Sequence, residues 1–328
     1  MIRYIIKRIL WIIPVLLGVA ILIFTILYFS PGDPVTLQLG ENYDTEQYAA
    51  LAAELGLDQP YLVQLGKFLY NLFLRLDFGT SWTFGTDIAS ELFSRLPRTV
   101  IIAAFSCLLQ IVIAIPLGIT AATHQNGIID RLCILLAMIG ISLPGFWVGL
   151  MLILLFSVNL GWLPTSGVEH WYSYILPIIA NALMGIGSQT RMTRSQMLEV
   201  IHSDYVVTAR AKGVPERKIL YSHALPNALI PIITFVGSHF GRALGGTVVI
   251  ETVFSIPGIG YYIMDAVNKA DYPVVRSGVT LISLMFCIVI LIIDILYAFI
   301  DPRIRAQYEN SGRRHPKKKS RKGAIANA

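Results

Sequence analysis

Six stretches of this 328-residue chain are long and apolar enough to cross a bilayer: residues 9–29, 100–122, 132–158, 172–190, 229–250 and 279–300. A span takes about 20 residues of helix. No water reaches the backbone inside lipid, so such a run must satisfy its N–H and C=O groups within itself. The expected fold class is therefore all-α, a polytopic membrane bundle of six transmembrane helices. Composition agrees, with 55% hydrophobic and 14% charged residues, against roughly 25% charged in soluble domains. The fourth stretch is the weakest. Its apolar heart, 175–186, is short and holds Pro177 and Asn181, which suits a helix among protein neighbours better than one against lipid.

The net charge of +6 is concentrated at one end: residues 301–328 carry nine Lys/Arg and two Asp/Glu. The rest is close to neutral, which excludes nucleic-acid binding by the chain as a whole. The run KKKSRK at 317–322 fits either a contact with anionic headgroups, at about 1 kcal/mol per basic residue, or a solvated tail. Arg3, Lys7 and Arg8 precede the first apolar run, whose 21 residues exceed a signal-peptide core and lead to no small-x-small site; it reads as a retained helix. With both termini in the cytosol, 19 Lys/Arg fall inside and 6 outside, Arg242 lying within a span. That bias sets the orientation of a multi-pass cell-membrane protein. Cys107, Cys133 and Cys287 all sit in apolar runs without metal-ligand spacing, as small buried hydrophobes do.

These readings divide the chain into an N-terminal helix (1–29), an external segment (30–99), a five-helix core (100–300) carrying a cytosolic loop (191–228), and a basic cytosolic tail (301–328). The external segment is acidic, with nine Asp/Glu against four Lys/Arg. Helical spacing at 45–55 and 61–76 is interrupted by Gly56-Leu57-Asp58-Gln59-Pro60, so the insert is helical. It serves as a docking cap for a substrate-delivery protein or as a plug over the bundle.

The segment YVVTARAKGVPERKILYSHALP at 205–226 reads as helix, glycine, helix. Gly213 ends the first helix with a positive φ, Pro215 opens a second over 216–223, and Leu225-Pro226 leads into the fifth span. A short amphipathic elbow facing the cytosol lets a membrane protein receive force from a soluble partner. Its spacing resembles the cytoplasmic-loop motif of ABC importer permeases, E-A-A-x₃-G-x₉-I-x-L-P: Ala209, Gly213, Leu225 and Pro226 match, while Val207, Thr208 and His223 depart from it. The chain further resembles the dipeptide, oligopeptide and nickel branch. The motifs are PGDP (31–34), LGLDQP (55–60), DFGTS (77–81), LPRT (96–99), SLPGFW (142–147), LGWLPTSG (160–167), ETVFSIPGIG (251–260) and DYPVV (271–275).

The resemblance implies a non-enzymatic subunit of an ATP-driven, binding-protein-dependent importer. It implies two ATPase subunits or domains that use the ATP, a second homologous permease completing the pathway, and an external substrate-binding protein. ATPase coupling would fall to Ala209, Arg210, Ala211, Lys212, Gly213, Glu216, Arg217, Leu225 and Pro226, with Lys218 on the charged face and Val214 and Ile219 as apolar contacts. No Walker A, His-Glu-x₂-His or Cys/His cluster occurs, so no catalytic or metal residues and no cofactor are assigned to this chain.

The fifth span carries the unusual intramembrane residues. Gly237, Gly241 and Gly245 form overlapping G-x₃-G patterns that allow close helix contact, and His239 and Arg242 fall on another face. Arg242 either lines the path and attracts a carboxylate or pairs with Asp294 of the sixth span. His239 is a path residue or a satisfied interior one. Pro144-Gly145 breaks the third span and Pro116-Leu117-Gly118 the second; Pro257–Gly260 is an outer turn with no phosphate-binding helix after it. The expected cargo is a dipeptide or oligopeptide. Nickel or a nickel chelate is the alternative within the architecture, and an ion-gradient-driven transporter the alternative outside it.

Overall fold

The computed structural model describes residues 2–40 and 43–300; the basic tail expected at 301–328 lies outside them. The described chain is helical, with no strand beyond an isolated bridge between Thr80 and Asp87. In order come α1 (Ile2–Tyr28), α2 (Pro34–Leu39), α3 (Thr45–Glu54), α4 (Tyr61–Tyr70), α5 (Ile88–Thr123), α6 (Ile128–Ser142) and α7 (Gly145–Leu152). Then follow α8 (Ile175–Ile201), α9 (Asp204–Ala211), α10 (Glu216–Lys218), α11 (Leu225–Val253), α12 (Ile259–Asn268) and α13 (Tyr272–Ile300).

Four helices are long and apolar enough to cross a membrane, or five if α6 and α7 with its π-helical extension count as one span bent by 98°. The expected sixth, α8, has the length, at 27 residues. It carries Asn181, Gln189, Arg191 and Arg194, and packs on α5, α6, α7 and α11. Protein therefore surrounds it, as its composition requires. It starts later than expected and runs on to Ile201.

Two proline expectations separate. Pro144 does break the third span, with Leu143 and Pro144 both extended. Pro116 does not break the second: α5 continues for 36 residues with Pro97 and Pro116 inside it. A helix about 54 Å long at 1.5 Å per residue tolerates the lost bonds where protein neighbours and local adjustment re-satisfy the backbone. α5 begins at Ile88, so the expected boundary at 99/100 falls inside a helix.

The insert is helical, and α3 carries a capping box: Gln47 N donates to Asp44 Oδ1 at 2.7 Å and Asp44 N to Gln47 Oε1 at 3.3 Å. That reciprocal pair satisfies end donors that would otherwise be orphaned. Phe68 and Leu72 pack on Ala20 and Phe24 of α1, which anchors the insert to the bundle. α1 lies against α13.

Buried carboxylates join the loops at one end. Asp271 accepts from Ser81 Oγ at 2.5 Å, Trp82 N at 3.2 Å and Thr83 N at 3.1 Å. Glu251, fully buried, accepts from Thr99 Oγ1 at 2.6 Å and Tyr261 N at 3.0 Å. Pro257–Gly260, expected as an outer turn with no phosphate-binding helix after it, is followed by a helix, since α12 begins at Ile259. Backbone N–H groups at a helix start bind anions, and here the anion is the chain's own Glu251, with Thr99 Oγ1 accepting from Ile259 N at 2.9 Å.

Candidate functional site

Two features converge on α11: the elbow before it and a cavity beside it. In the elbow, Gly213 has φ 77, the left-handed conformation expected of it. Gly213 N donates to Arg210 O at 2.9 Å and Val214 N to Ala209 O at 3.3 Å, closing the end of α9. Arg210 reaches across the turn to Glu216, Nη2 to Oε1 at 2.5 Å, with both side chains partly exposed. The carboxylate raises the Arg210 guanidinium above its ordinary pKa. At this exposure the pair contributes about 0–1 kcal/mol; its effect is to hold the two arms at one angle.

The second arm differs from expectation. In place of a separate helix over 216–223, α10 passes through a π-helical turn, Ile219–Ala224, directly into α11. Leu225 N donates to Leu220 O, a five-residue step. The wide turn precedes Pro226, which has no N–H to offer to an ordinary four-residue step. Glu216 to Val253 is thus one helix of 38 residues, and Arg242 lies about 39 Å along it from Glu216 at 1.5 Å per residue. Ile219, expected as a contact for a partner, is fully buried in this chain, as are Val206 and Ala224. The exposed elbow surface includes Arg210, Ala211, Lys212, Gly213, Glu216, Arg217, Lys218 and Pro226, with the side chains of Tyr205, Val207 and Tyr221, which sequence spacing missed. Ala209 and Leu225 are half-buried.

A cavity of about 560 Å³ lies between α5, the α6–α7 break, α8 and α11. His239 and Arg242 both line it, with Ser106, Gln110, Asn181, Met184 and Ser188. Arg242 is the charged residue of this lining among the described residues. Its guanidinium lies 5.8 Å from the Phe235 ring centroid. The alternative pairing with Asp294 is not formed: Asp294 Oδ2 lies 2.9 Å from Arg8 Nη1 of α1, as an ion pair. His239 is buried, and among the described residues no group of three or more His, Cys, Asp and Glu is placed to hold a metal ion. Behind the cavity, Gln110 Nε2 donates to Gln189 Oε1 and Gln189 Nε2 to Thr193 Oγ1, both at 3.3 Å. Asn181 Nδ2 is buried with no partner among the described residues, a donor left for whatever occupies the space.

The glycine stripe faces away from this cavity in part. A Cβ on Gly237 would collide with Ile293 and one on Gly241 with Phe286, both on α13, whereas Gly245 has nothing within 4 Å. Close approach of α11 and α13 therefore uses two of the three expected positions.

Residues 114–306 match the family of binding-protein-dependent transport system inner membrane components, and residues 1–103 match the N-terminal model of the same membrane components. The chain belongs to this family. It is 42% identical over 305 residues to the glutathione transport system permease protein GsiC of Salmonella paratyphi A, covering 93% of this chain and 99% of that one. It is 39% identical over 333 residues to the dipeptide transport system permease protein DppB of Alkalihalophilus pseudofirmus, covering 93% and 100%. In fold it is similar to a chain of the MetNI methionine ABC transporter in inward-facing conformations, with TM-score 0.56 and 18% identity over 65% of this chain and 98% of that one. As a member of the family it is a multi-pass permease subunit of an ABC importer, working with an ATPase and a substrate-binding protein that are separate from it. Family membership replaces the ion-gradient alternative.

Proposed function

We propose that this permease subunit imports short peptides, that the cavity beside α11 lies on their path, and that Arg242 receives the cargo's carboxylate. The observation that carries this reading is the cavity's lining: a single guanidinium, neutral donors and acceptors, and no carboxylate among the described residues. An Arg fork suits a planar carboxylate. The names of the glutathione and dipeptide relatives support a peptidic cargo. Nickel is the weaker reading, because tight metal sites gather several ligands and His239 has no such cluster around it among the described residues.

Coupling follows from continuity. Two ATPase subunits or domains, which bind and use the ATP, engage the elbow at Arg210–Gly213 and Glu216–Lys218 from the cytosol. Their closure tilts the elbow, and the 38-residue helix carries that movement to Arg242. A second, homologous permease supplies the opposite wall. Both termini are cytosolic, in line with the excess of Lys/Arg on that side. A reporter inserted at Asp204 then reads cytosolic and one at Tyr48 external; the reverse would remove the basis for coupling.

The test of the path is uptake by the assembled importer carrying Arg242→Gln. Losing a charge-assisted bond of about 1.5–3 kcal/mol lowers uptake of a free dipeptide roughly tenfold or more at subsaturating concentration, with complex assembly unchanged. Uptake of the C-terminally amidated dipeptide changes little. Equal uptake of the free dipeptide by variant and wild type rejects the assignment.

A further inference from the structure

A second cavity, of about 340 Å³, lies at the far end of the bundle from the elbow, where α1 ends, the insert begins and α13 starts. This is the size of a site for one small molecule. Phe24, Tyr28, Trp82 and Tyr272 form aromatic walls, and among the described residues its lining carries one cation, Arg276, and one anion, Asp33.

Arg276 is held by its faces only. Its guanidinium lies 4.8 Å from the Phe68 ring centroid, 5.8 Å from Phe24 and 5.9 Å from Trp82. Stacking of this kind accounts for the plane of the group and leaves the in-plane N–H donors free. No hydrogen bond or ion pair to a described residue takes them. The carboxylate next along the chain, Asp271, is engaged by Ser81, Trp82 and Thr83. Asp33 caps α2 through one oxygen, with Val35 N donating to Oδ1 at 3.0 Å, and its carboxylate raises the pKa of the nearby Tyr48 hydroxyl. A carboxylate has about four acceptor sites, so capacity remains.

We propose that this outer cavity is a second binding site for a short zwitterionic peptide, with Arg276 taking the carboxylate and Asp33 the ammonium group. The aromatic walls receive the apolar side chain. The pairing of one cation with one anion separates this site from the cavity beside α11, whose lining has the cation alone. It also disfavours an anionic lipid headgroup, which Asp33 would repel. The proposal rests on the peptide reading of the cargo and is independent of Arg242.

The test is equilibrium binding to the assembled importer in nanodiscs, without ATP or binding protein. The probes are dialanine, N-acetyl-dialanine and dialanine amide. Dialanine binds, and each blocked probe binds about tenfold more weakly, the loss of one charge-assisted contact. Asp33→Asn keeps an N-cap side chain on α2 and erases the discrimination against N-acetyl-dialanine. Arg276→Lys keeps a cation among the rings but loses the planar fork, and weakens dialanine about tenfold while sparing the amide. The component of dialanine binding that Asp33→Asn and Arg276→Lys weaken persists in Arg242→Gln, which removes only binding at the inner cavity. Absence of saturable dialanine binding overturns the proposal, as does equal binding of the three probes or wild-type behaviour of both Asp33→Asn and Arg276→Lys. Binding lost in Arg242→Gln alone assigns it to the inner cavity and overturns the outer site, while leaving the proposed path intact.

Discussion

Arg8 and Asp294 form an ion pair of 2.9 Å between α1 and α13, and this pairing separates Asp294 from Arg242. The two ends of one antiparallel contact are thereby defined: Arg8 meets Asp294 at one end, and Arg276 stacks on Phe24 at the other. A double-mutant cycle reads the consequence. Arg8→Gln and Asp294→Asn should show a coupling of about 1 kcal/mol in thermal or denaturant stability, the scale of a partly exposed pair. Arg242→Gln and Asp294→Asn should instead add within about 0.5 kcal/mol, as separated sites do. A large coupling in the second cycle would return Arg242 to a structural role.

The elbow predicts a graded series at Gly213. A β-branched residue at φ 77 pays about 1–2 kcal/mol for the left-handed conformation. Gly213→Val should therefore weaken co-purification of the ATPase and lower uptake severalfold, with normal membrane insertion. Gly213→Asn, which visits this region more readily, should fall between. Wild-type assembly and uptake in Gly213→Val would reject the elbow as the coupling device.

Close helix approach makes a contrast within one helix. Gly237→Leu and Gly241→Leu place side chains into Ile293 and Phe286, whereas Gly245→Ala enters open space. Overpacking costs typically 1–3 kcal/mol, so the first two should lower the melting temperature in detergent and the third should leave it unchanged. Equal sensitivity at all three positions would mean that α11 does not meet α13 as described.

Glu251 and Thr99 should behave as one unit. Glu251→Ala strands the Thr99 hydroxyl and the Tyr261 N–H, at about 1–3 kcal/mol for each group left buried and unpaired. Thr99→Val should destabilise through the same network, and the double variant should lose less than the sum of the singles. Simple additivity in the melting temperatures would show that the two do not act together.

Local rules made much of the chain legible in sequence. Apolar runs long enough for lipid gave the helical class, because backbone satisfaction within a bilayer leaves few choices. Gly213 marked its own turn, because positive φ is a property of one residue. Helix spacing around Gly56–Pro60 separated the two longer helices of the insert. What remained hidden depends on residues far apart in the chain. DFGTS and DYPVV were recognisable separately, but only the fold joins Ser81 to Asp271; LPRT and ETVFSIPGIG likewise meet as Thr99 and Glu251. Arg242 and Asp294, both within apolar runs, were the charges for which sequence required a partner or a role; Glu251 entered only as the start of ETVFSIPGIG and Arg276 only as an external cation. Tertiary packing decided that Asp294 goes to Arg8, that rings cover Arg276, and that Arg242 faces a cavity, because which groups can share a buried charge is a matter of distance in space.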